Sequence, residues 1–140
     1  MPAMRAKHFD LSVLVAIAVG GALGAPARYE IALTVHDAQH GFPWATFWTN
    51  IVGAFVLAVF LTTIVERDTP SRHGRPFFAI GFLGAFTTFS TLATETVLLL
   101  KGAHVAVGLL YLFGSVAVGL AVALLGMLLT RFVTAPRPRT

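Results

Sequence analysis

The side chains best suited to chemistry in this chain are concentrated in one apolar segment, between Gly84 and Thr96. The segment holds one carboxylate, Glu95, and six hydroxyls within ten residues. The hydroxyls belong to Thr87, Thr88, Ser90, Thr91, Thr94 and Thr96. Polar groups are expensive in hydrocarbon, so those inside a membrane usually face a pathway, a site or another helix. Their mixture with phenylalanines and glycines favours a pathway for a small ion.

Ordinary helix packing is the alternative interpretation of these hydroxyls. Ser and Thr in a membrane helix can bond back to the carbonyl four residues earlier, which explains one or two of the six. A polar pathway explains six hydroxyls and a carboxylate better. At helical spacing, Phe82, Phe86 and Phe89 form an aromatic stripe along the same segment.

Two glycines, Gly81 and Gly84, precede Thr87 and Thr88, and both pairs weaken a helix locally. A break at this point would free backbone carbonyls that a neighbour, water or a cation must meet. A packing role for the glycines is an equal alternative.

Four polar side chains in the other apolar segments are further candidates. Asn50 can donate to an anion or bond a neighbouring helix, and the second role is favoured when the residue is taken alone. Arg28 either snorkels to the headgroups, the better choice by itself, or lines a vestibule that attracts anions. Tyr111 and Ser115 are four residues apart and share a helix face, where they extend the hydroxyl track. Phenylalanine rings, such as that of Phe89, offer partially positive edges to an anion.

The elements that carry these residues follow from the composition. The chain has 140 residues, of which 56% are hydrophobic and 11% charged, against about 25% charged in soluble domains. It is therefore predicted to be an all-α membrane protein with a single domain. Four apolar segments approach the roughly 20 residues of a spanning helix, and they cover residues 11–32, 46–65, 77–100 and 103–132. Residues 134–140, rich in Pro and Arg, are predicted to be a disordered tail.

The sequence also excludes several classes of protein. It has no cysteine, which excludes disulfides and thiolate metal sites. Its basic residues stand at the ends of apolar segments, as membrane anchors do, so nucleic acid is not an expected partner. Phosphate-loop, metalloprotease and nucleophile-elbow motifs are missing from the sequence, and an enzyme is not expected.

Charge and size predict how the chain sits in the bilayer. An even number of spans places both termini on one side, and eight of the ten Lys and Arg residues fall there, which predicts cytoplasmic termini. Four helices are too few to enclose an aqueous path easily, so an oligomer, most simply a dimer, is expected. Small residues four apart, Gly20 with Gly24 and Ser115 with Gly119, are candidates for helix contacts.

Over nearly all its length, the chain resembles the Fluc/CrcB family of fluoride channels. The stretch GFLGAFTTFST from Gly81 to Thr91, followed by Glu95, is similar to the third-helix motif of that family. Two weaker similarities support it. They are GGALGA from Gly20 with Arg28-Tyr29, and TNIVGAF from Thr49.

The resemblance implies a fluoride-specific ion channel that passively exports fluoride across the bacterial inner membrane. It implies a third helix broken near its middle and an antiparallel, dual-topology-type dimer with two pores. A structural sodium ion, not transported, would lie at the dimer centre on the backbone carbonyls of Gly84 and Thr87. The implied pore residues are Asn50, Thr88, Phe89, Thr91, Leu92, Glu95, Tyr111 and Ser115, with Arg28 in the vestibule.

Two positions depart from the family pattern. Leu92 stands where a second pore phenylalanine is usual, and Gly119 stands where the polar track usually continues. A leucine has no positive ring edge, so one aromatic contact is lost. Together with the charge bias, which suggests one fixed orientation, these departures leave two partners open. They are an identical copy and a paralogous chain in a heterodimer.

Two other functions are alternatives. A small four-helix, proton-coupled multidrug exporter would need a carboxylate within the first helix, and none lies between Leu11 and Tyr29. A non-transporting assembly subunit that needs a non-identical partner would not require the hydroxyl-rich third segment.

Overall fold

The computed structural model describes residues 10–35, 41–66 and 72–134, which contain helices and no β-strand. Four helical stretches are long and apolar enough to cross a membrane, and they cover Leu11–Thr34, Trp44–Glu66, Arg75–Lys101 and Val105–Thr134. Each predicted boundary lies within two residues of the observed one. The prediction of an all-helical chain with four segments able to span a membrane is therefore confirmed for the described residues.

The first two spans are the α-helices α1 (Leu11–Thr34) and α2 (Trp44–Glu66), and the last is α5 (Val105–Thr134). The third span is made of three helical segments: a π-helix, π1 (Arg75–Phe82), then α3 (Leu83–Phe86) and α4 (Phe89–Lys101).

Two residues of extended backbone separate α3 from α4. Thr87 has φ −85° and ψ 156°, and Thr88 has φ −150° and ψ 118°. The Thr88 side chain caps α4, because its Oγ1 accepts a hydrogen bond from the Thr91 N–H at 3.1 Å. This pair of residues, Thr87 and Thr88, is called the interruption below.

The interruption divides the third span between two packing groups. α1 packs chiefly against π1 and α3, whereas α2 and α4 pack against α5. Close backbone approach explains the first group. A Cβ on Gly20 would meet the carbonyl oxygen of Phe77, and one on Gly24 would meet that of Phe82.

The second small pair lies between α2 and α5. Ser115 is buried, and a Cβ on Gly119 would lie 3.8 Å from Ile51 Cδ1. The pair of Gly20 and Gly24 therefore marks a close helix contact, whereas Gly119 makes only an ordinary contact with α2.

Some details at the helix ends differ from the prediction. Lys101 belongs to α4, and the link to α5 is Gly102–His104, where Ala103 has a positive φ of 62°. Thr134 belongs to α5, so the predicted tail begins later than expected. Its other residues, 135–140, lie outside the described residues, as do 36–40 and 67–71 of the connectors.

An exposed polar cluster joins the start of α1 to the connector before π1. Asp10 caps α1 by accepting from the Ser12 N–H at 3.1 Å and from the Ser12 hydroxyl at 2.7 Å. Arg72 forms an ion pair with the same carboxylate, and the Ser12 hydroxyl contacts His73 Nε2 at 2.9 Å. The hydrogen bond from Arg72, followed by that from Ser12, lowers the pKa of Asp10 from 3.8 to about 2.

This cluster gives a pH prediction. Because the folded-state pKa of Asp10 is depressed, its stabilising effect is present above the unfolded pKa and is lost as pH falls toward about 2. We expect NMR titration to place the Asp10 midpoint near 2 in the wild type and closer to 3.8 in Arg72→Ala. Arg131→Ala, which removes a different surface ion pair with Glu66, serves as the control. An Asp10 midpoint unaffected by Arg72→Ala would contradict the assignment.

Candidate functional site

Two cavities of about 370 Å³ each border the third span, and both include Thr88 in their walls. We call the first the polar cavity; its polar lining residues are Arg28, Tyr29, Thr46, Thr49, Thr88, Thr91 and Glu95. We call the second the apolar cavity; it is lined among others by Asn50, Thr87, Thr88, Phe89, Leu92, Ser115 and Gly119. The residues predicted from the sequence, apart from Tyr111 and Gly84, therefore line one or both of two cavities that share Thr88.

Glu95 joins three helices at one end of the polar cavity. Its Oε1 accepts a hydrogen bond from Thr46 Oγ1 of α2 at 3.0 Å. Its Oε2 accepts one from the Tyr111 hydroxyl of α5 at 2.6 Å. Tyr111 is fully buried, so this short bond lies inside the protein. The Tyr111 hydroxyl is therefore directed at Glu95 in this structure, whereas the sequence placed it in the hydroxyl track.

The six hydroxyls of the third span have different partners. Those of Thr87 and Thr96 bond back to carbonyls four residues earlier, at 2.9 Å and 2.8 Å, as the packing alternative predicts for one or two of them. Thr88 Oγ1 lies 3.2 Å from the Ser90 hydroxyl and donates to Thr91 Oγ1 at 3.0 Å. Thr94 is exposed.

Asn50 binds the interruption through both ends of its carboxamide. Its Nδ2 donates to the Thr88 carbonyl at 3.0 Å, and its Oδ1 accepts from the Thr88 N–H at 2.8 Å. Asn50 thus makes the interhelical bond that sequence reasoning favoured for the residue alone. One hydrogen of its NH2 group is used by the Thr88 carbonyl, and Asn50 also lines the apolar cavity.

The interruption changes the partners of two backbone N–H groups. In a continuous helix, the N–H groups of Thr88 and Thr91 would bond the carbonyls of Gly84 and Thr87. Here they bond Asn50 Oδ1 at 2.8 Å and Thr88 Oγ1 at 3.1 Å. The Gly84 and Thr87 carbonyls, named from the sequence as cation ligands, are thus among the carbonyls whose helical donors are diverted.

The available donors fit a hard cation on backbone oxygen better than a metal on side chains. Within residues 10–35, 41–66 and 72–134, no group of three or more His, Asp or Glu residues is placed to hold a metal. Carbonyl oxygens at interrupted membrane helices are ligands that sodium takes in transporters. The Gly84 and Thr87 carbonyls therefore fit the sodium expected from the sequence.

The two apolar candidates have opposite environments. The Phe89 side chain is 73% exposed on the protomer, at the edge of the apolar cavity. Leu92 is only 4% exposed and packs in a core cluster with Phe47, Ile51 and Tyr111. Phe89 therefore projects away from the rest of the chain, whereas Leu92 helps to hold α4 against α2 and α5.

Ser115 has a buried, unsatisfied hydroxyl beside the apolar cavity. Its Oγ is the buried side-chain polar atom without a hydrogen-bond partner in the described part of the chain. Ser115 lines the apolar cavity together with Leu92 and Gly119. Buried hydroxyls are nearly always paired. Because the Ser115 hydroxyl is not paired within the described residues, it is a candidate donor to a small acceptor.

Sequence reasoning missed two residues of the polar cavity. Thr46 bonds Glu95, and Thr49 lines the same cavity. Thr46 lies four residues before Asn50, so it shares the helix face that carries the amide. That spacing could have identified Thr46 as a candidate site residue.

Comparison with known proteins gives one consistent result. A family model described as "CrcB-like protein, Camphor Resistance (CrcB)" matches residues 15–127. A Streptomyces avermitilis protein named "Fluoride-specific ion channel FluC 3" is 46% identical over 127 residues, which is 91% of this chain and 62% of that relative. The chain thus spans under two thirds of that relative's length.

Other relatives are matched over more of their length. A Thermus thermophilus protein named "Fluoride-specific ion channel FluC" is 45% identical over 79% of this chain and 88% of the relative. A second Streptomyces avermitilis protein, named "Fluoride-specific ion channel FluC 2", is 43% identical over 79% of this chain and 72% of the relative. Streptomyces avermitilis therefore has two relatives of this chain, whose names carry the numbers 3 and 2.

Proposed function

The chain belongs to the CrcB family, a family of ion channels and not of enzymes, and on this premise we propose that it is a fluoride-specific channel. In this proposal it sits in the bacterial inner membrane and lets fluoride leave the cytoplasm passively. The observation that carries the proposal is the third span, whose family-like residues border two cavities that meet at Thr88.

The donors around the interruption suit fluoride, which is small and strongly hydrated. A pore must replace its water with donors while letting the ion leave. The buried Ser115 hydroxyl can supply one such donor. Thr91 accepts from Thr88, so its own hydrogen remains to donate. The N-terminal end of α4 adds a partial positive charge close to both.

The polar cavity supplies the entrance in this proposal. Arg28 lines it and attracts anions toward Thr88 and Thr91. Glu95, at the same cavity, accepts the hydroxyl hydrogens of Thr46 and Tyr111. We assign Glu95 the role of holding three helices in register beside the path.

The sodium and the dimer belong to the same proposal. In the proposed dimer, the Gly84 and Thr87 carbonyls of one chain supply part of a cation shell and the second chain supplies another part. An antiparallel copy would bring its own pair to the same point. The C-terminal end of α3 favours positive charge there. The interruption between α3 and α4 is, in this proposal, the break expected of the family.

The partner is either an identical copy or a paralogous chain. Leu92 is buried in its own protomer, so the family's second pore ring is missing on this side. The exposed Phe89 projects toward any partner. The two numbered relatives in Streptomyces avermitilis are compatible with pairing between paralogues.

The test is fluoride efflux from liposomes that contain the purified chain alone. We expect efflux in the wild type and a loss of at least about tenfold in Phe89→Ile, because the ring edge at the path is removed. The matched control is Phe113→Ile, since Phe113 is 66% exposed and Phe89 73%. Neither substitution removes buried contacts, so folding should be retained in both.

Three outcomes separate the possibilities. Efflux from the lone chain would remove the need for a paralogous partner. Efflux only after co-purification with a paralogue would establish the heterodimer. Equal efflux from Phe89→Ile and Phe113→Ile would contradict the pore assignment of Phe89.

A further inference from the structure

The carboxamide of Asn50 and the peptide groups of Thr88 form a closed pair of hydrogen bonds. The Thr88 N–H can only donate, so it must face Asn50 Oδ1, at 2.8 Å, and the Thr88 carbonyl must then face Nδ2, at 3.0 Å. The amide orientation is therefore determined by its partners. The pair links α2 to the interruption with the geometry of two paired peptide groups.

This pair compensates for the helical hydrogen bonds that the interruption removes. Thr88 has an extended backbone, and unpaired backbone groups cost several kcal/mol in hydrocarbon. By accepting from the Thr88 N–H, Asn50 removes the donor that would otherwise close on the Gly84 carbonyl. The same contact therefore stabilises the interruption and frees a carbonyl.

We propose that Asn50 is a positioning residue for the cation site: by binding the Thr88 peptide it keeps the third span interrupted and leaves the Gly84 carbonyl available to sodium. The inference rests on the proposed sodium site. It goes beyond the pore role of Asn50, which needs only the second hydrogen of the NH2 group. Both roles predict loss of fluoride flux in Asn50→Ala, so flux alone cannot separate them.

Sodium-dependent stability separates the two roles. The full chain in detergent is heated in sodium chloride and, at equal ionic strength, in N-methylglucamine chloride. We expect sodium to raise the Tm of the wild type. In Asn50→Ala we expect the sodium concentration for half of this rise to increase by about tenfold, the effect of losing two hydrogen bonds.

The control is Thr63→Val in the same helix. Thr63 Oγ1 bonds only the Val59 carbonyl of α2 among the bonds seen, at 2.7 Å, so its removal leaves the interruption untouched. Thr63→Val should keep the full sodium response. An Asn50→Ala variant with the wild-type sodium response but no fluoride flux would overturn the positioning role and leave the channel proposal intact.

A second measurement needs no variant and so does not depend on Asn50→Ala folding. NMR-detected hydrogen exchange on the wild type should show a protected Thr88 amide, although Thr88 is not helical, with further protection when sodium is added. The comparison is the Thr88 amide of the same sample before sodium is added. An unprotected Thr88 amide, or no sodium effect on it, would overturn the inference.

Discussion

A Gly24→Ala variant is expected to lose about 3 kcal/mol of unfolding free energy, at the upper end of overpacking costs. The added methyl group would meet the carbonyl oxygen and the Cα of Phe82. Those atoms belong to the backbone of π1, which cannot turn away as a flexible side chain can. α1 must therefore separate from the third span. Unfolding in mixed micelles, followed by circular dichroism, measures the loss.

Gly21→Ala is the matched control in the same helix. A Cβ at Gly21 would lie 3.8 Å from the Gly81 carbonyl oxygen and 3.9 Å from Ala85 Cβ, which are ordinary contacts. We expect a change below about 1 kcal/mol, in the stabilising direction, because alanine is the better helix former. Equal stability of the two variants would show that α1 and π1 do not approach as closely as described.

A Glu95→Leu variant is expected to be strongly destabilising, because it removes the acceptor shared by α2 and α5. The hydroxyls of Thr46 and Tyr111 would each lose a bond, at about 1–3 kcal/mol for each buried donor left unsatisfied. Tyr111 is fully buried, so water cannot readily replace the carboxylate at its hydroxyl. We also expect fluoride efflux to be lost, since α2, α4 and α5 would no longer be held together beside the polar cavity.

Glu66→Leu tests whether the effect is specific to the position. Glu66 pairs with Arg131 at 3.3 Å, and the Arg131 side chain is 64% exposed; such surface pairs contribute about 0–1 kcal/mol. Glu66→Leu should therefore leave stability and efflux nearly unchanged. If Glu95→Leu were as mild as this control, Glu95 would not be the link between the three helices.

The spans and their contacts were predictable because they depend on local composition. Hydropathy alone located all four spans within two residues. The spacing of Gly20 and Gly24 identified a close helix approach, because only glycine lets two backbones meet there. These signals need no knowledge of the partner element.

The arrangement of the site was harder to predict, because the extended residues reset the helical phase. Phe82 and Phe86 stack at 5.9 Å between ring centroids, as the predicted stripe requires. Phe89 comes after Thr87 and Thr88 and instead projects outward. Helical spacing cannot predict which residues share a face across such a point, because it assumes one continuous helix.

Hydrogen bonds between residues distant in sequence also could not be predicted. Nothing in the spacing says that the Tyr111 hydroxyl turns to Glu95, or that Asn50 faces Thr88. These contacts are decided by how α2 and α5 pack against α4. The sequence therefore predicted which residues lie near one another in the site. It did not predict which of them form hydrogen bonds with each other.

The division of the third span between two helix groups has a consequence for how the chain enters the membrane. π1 and α3 pack against α1, which is synthesised first, so they can pack as soon as they emerge. α4 packs against α5, and Glu95 must wait for Tyr111, a part of the last span to be made. During that interval Thr46, which belongs to an earlier span, can already donate to this carboxylate. The first half of the third span is thus assembled from residues already made, while the second half is completed only when translation is nearly over.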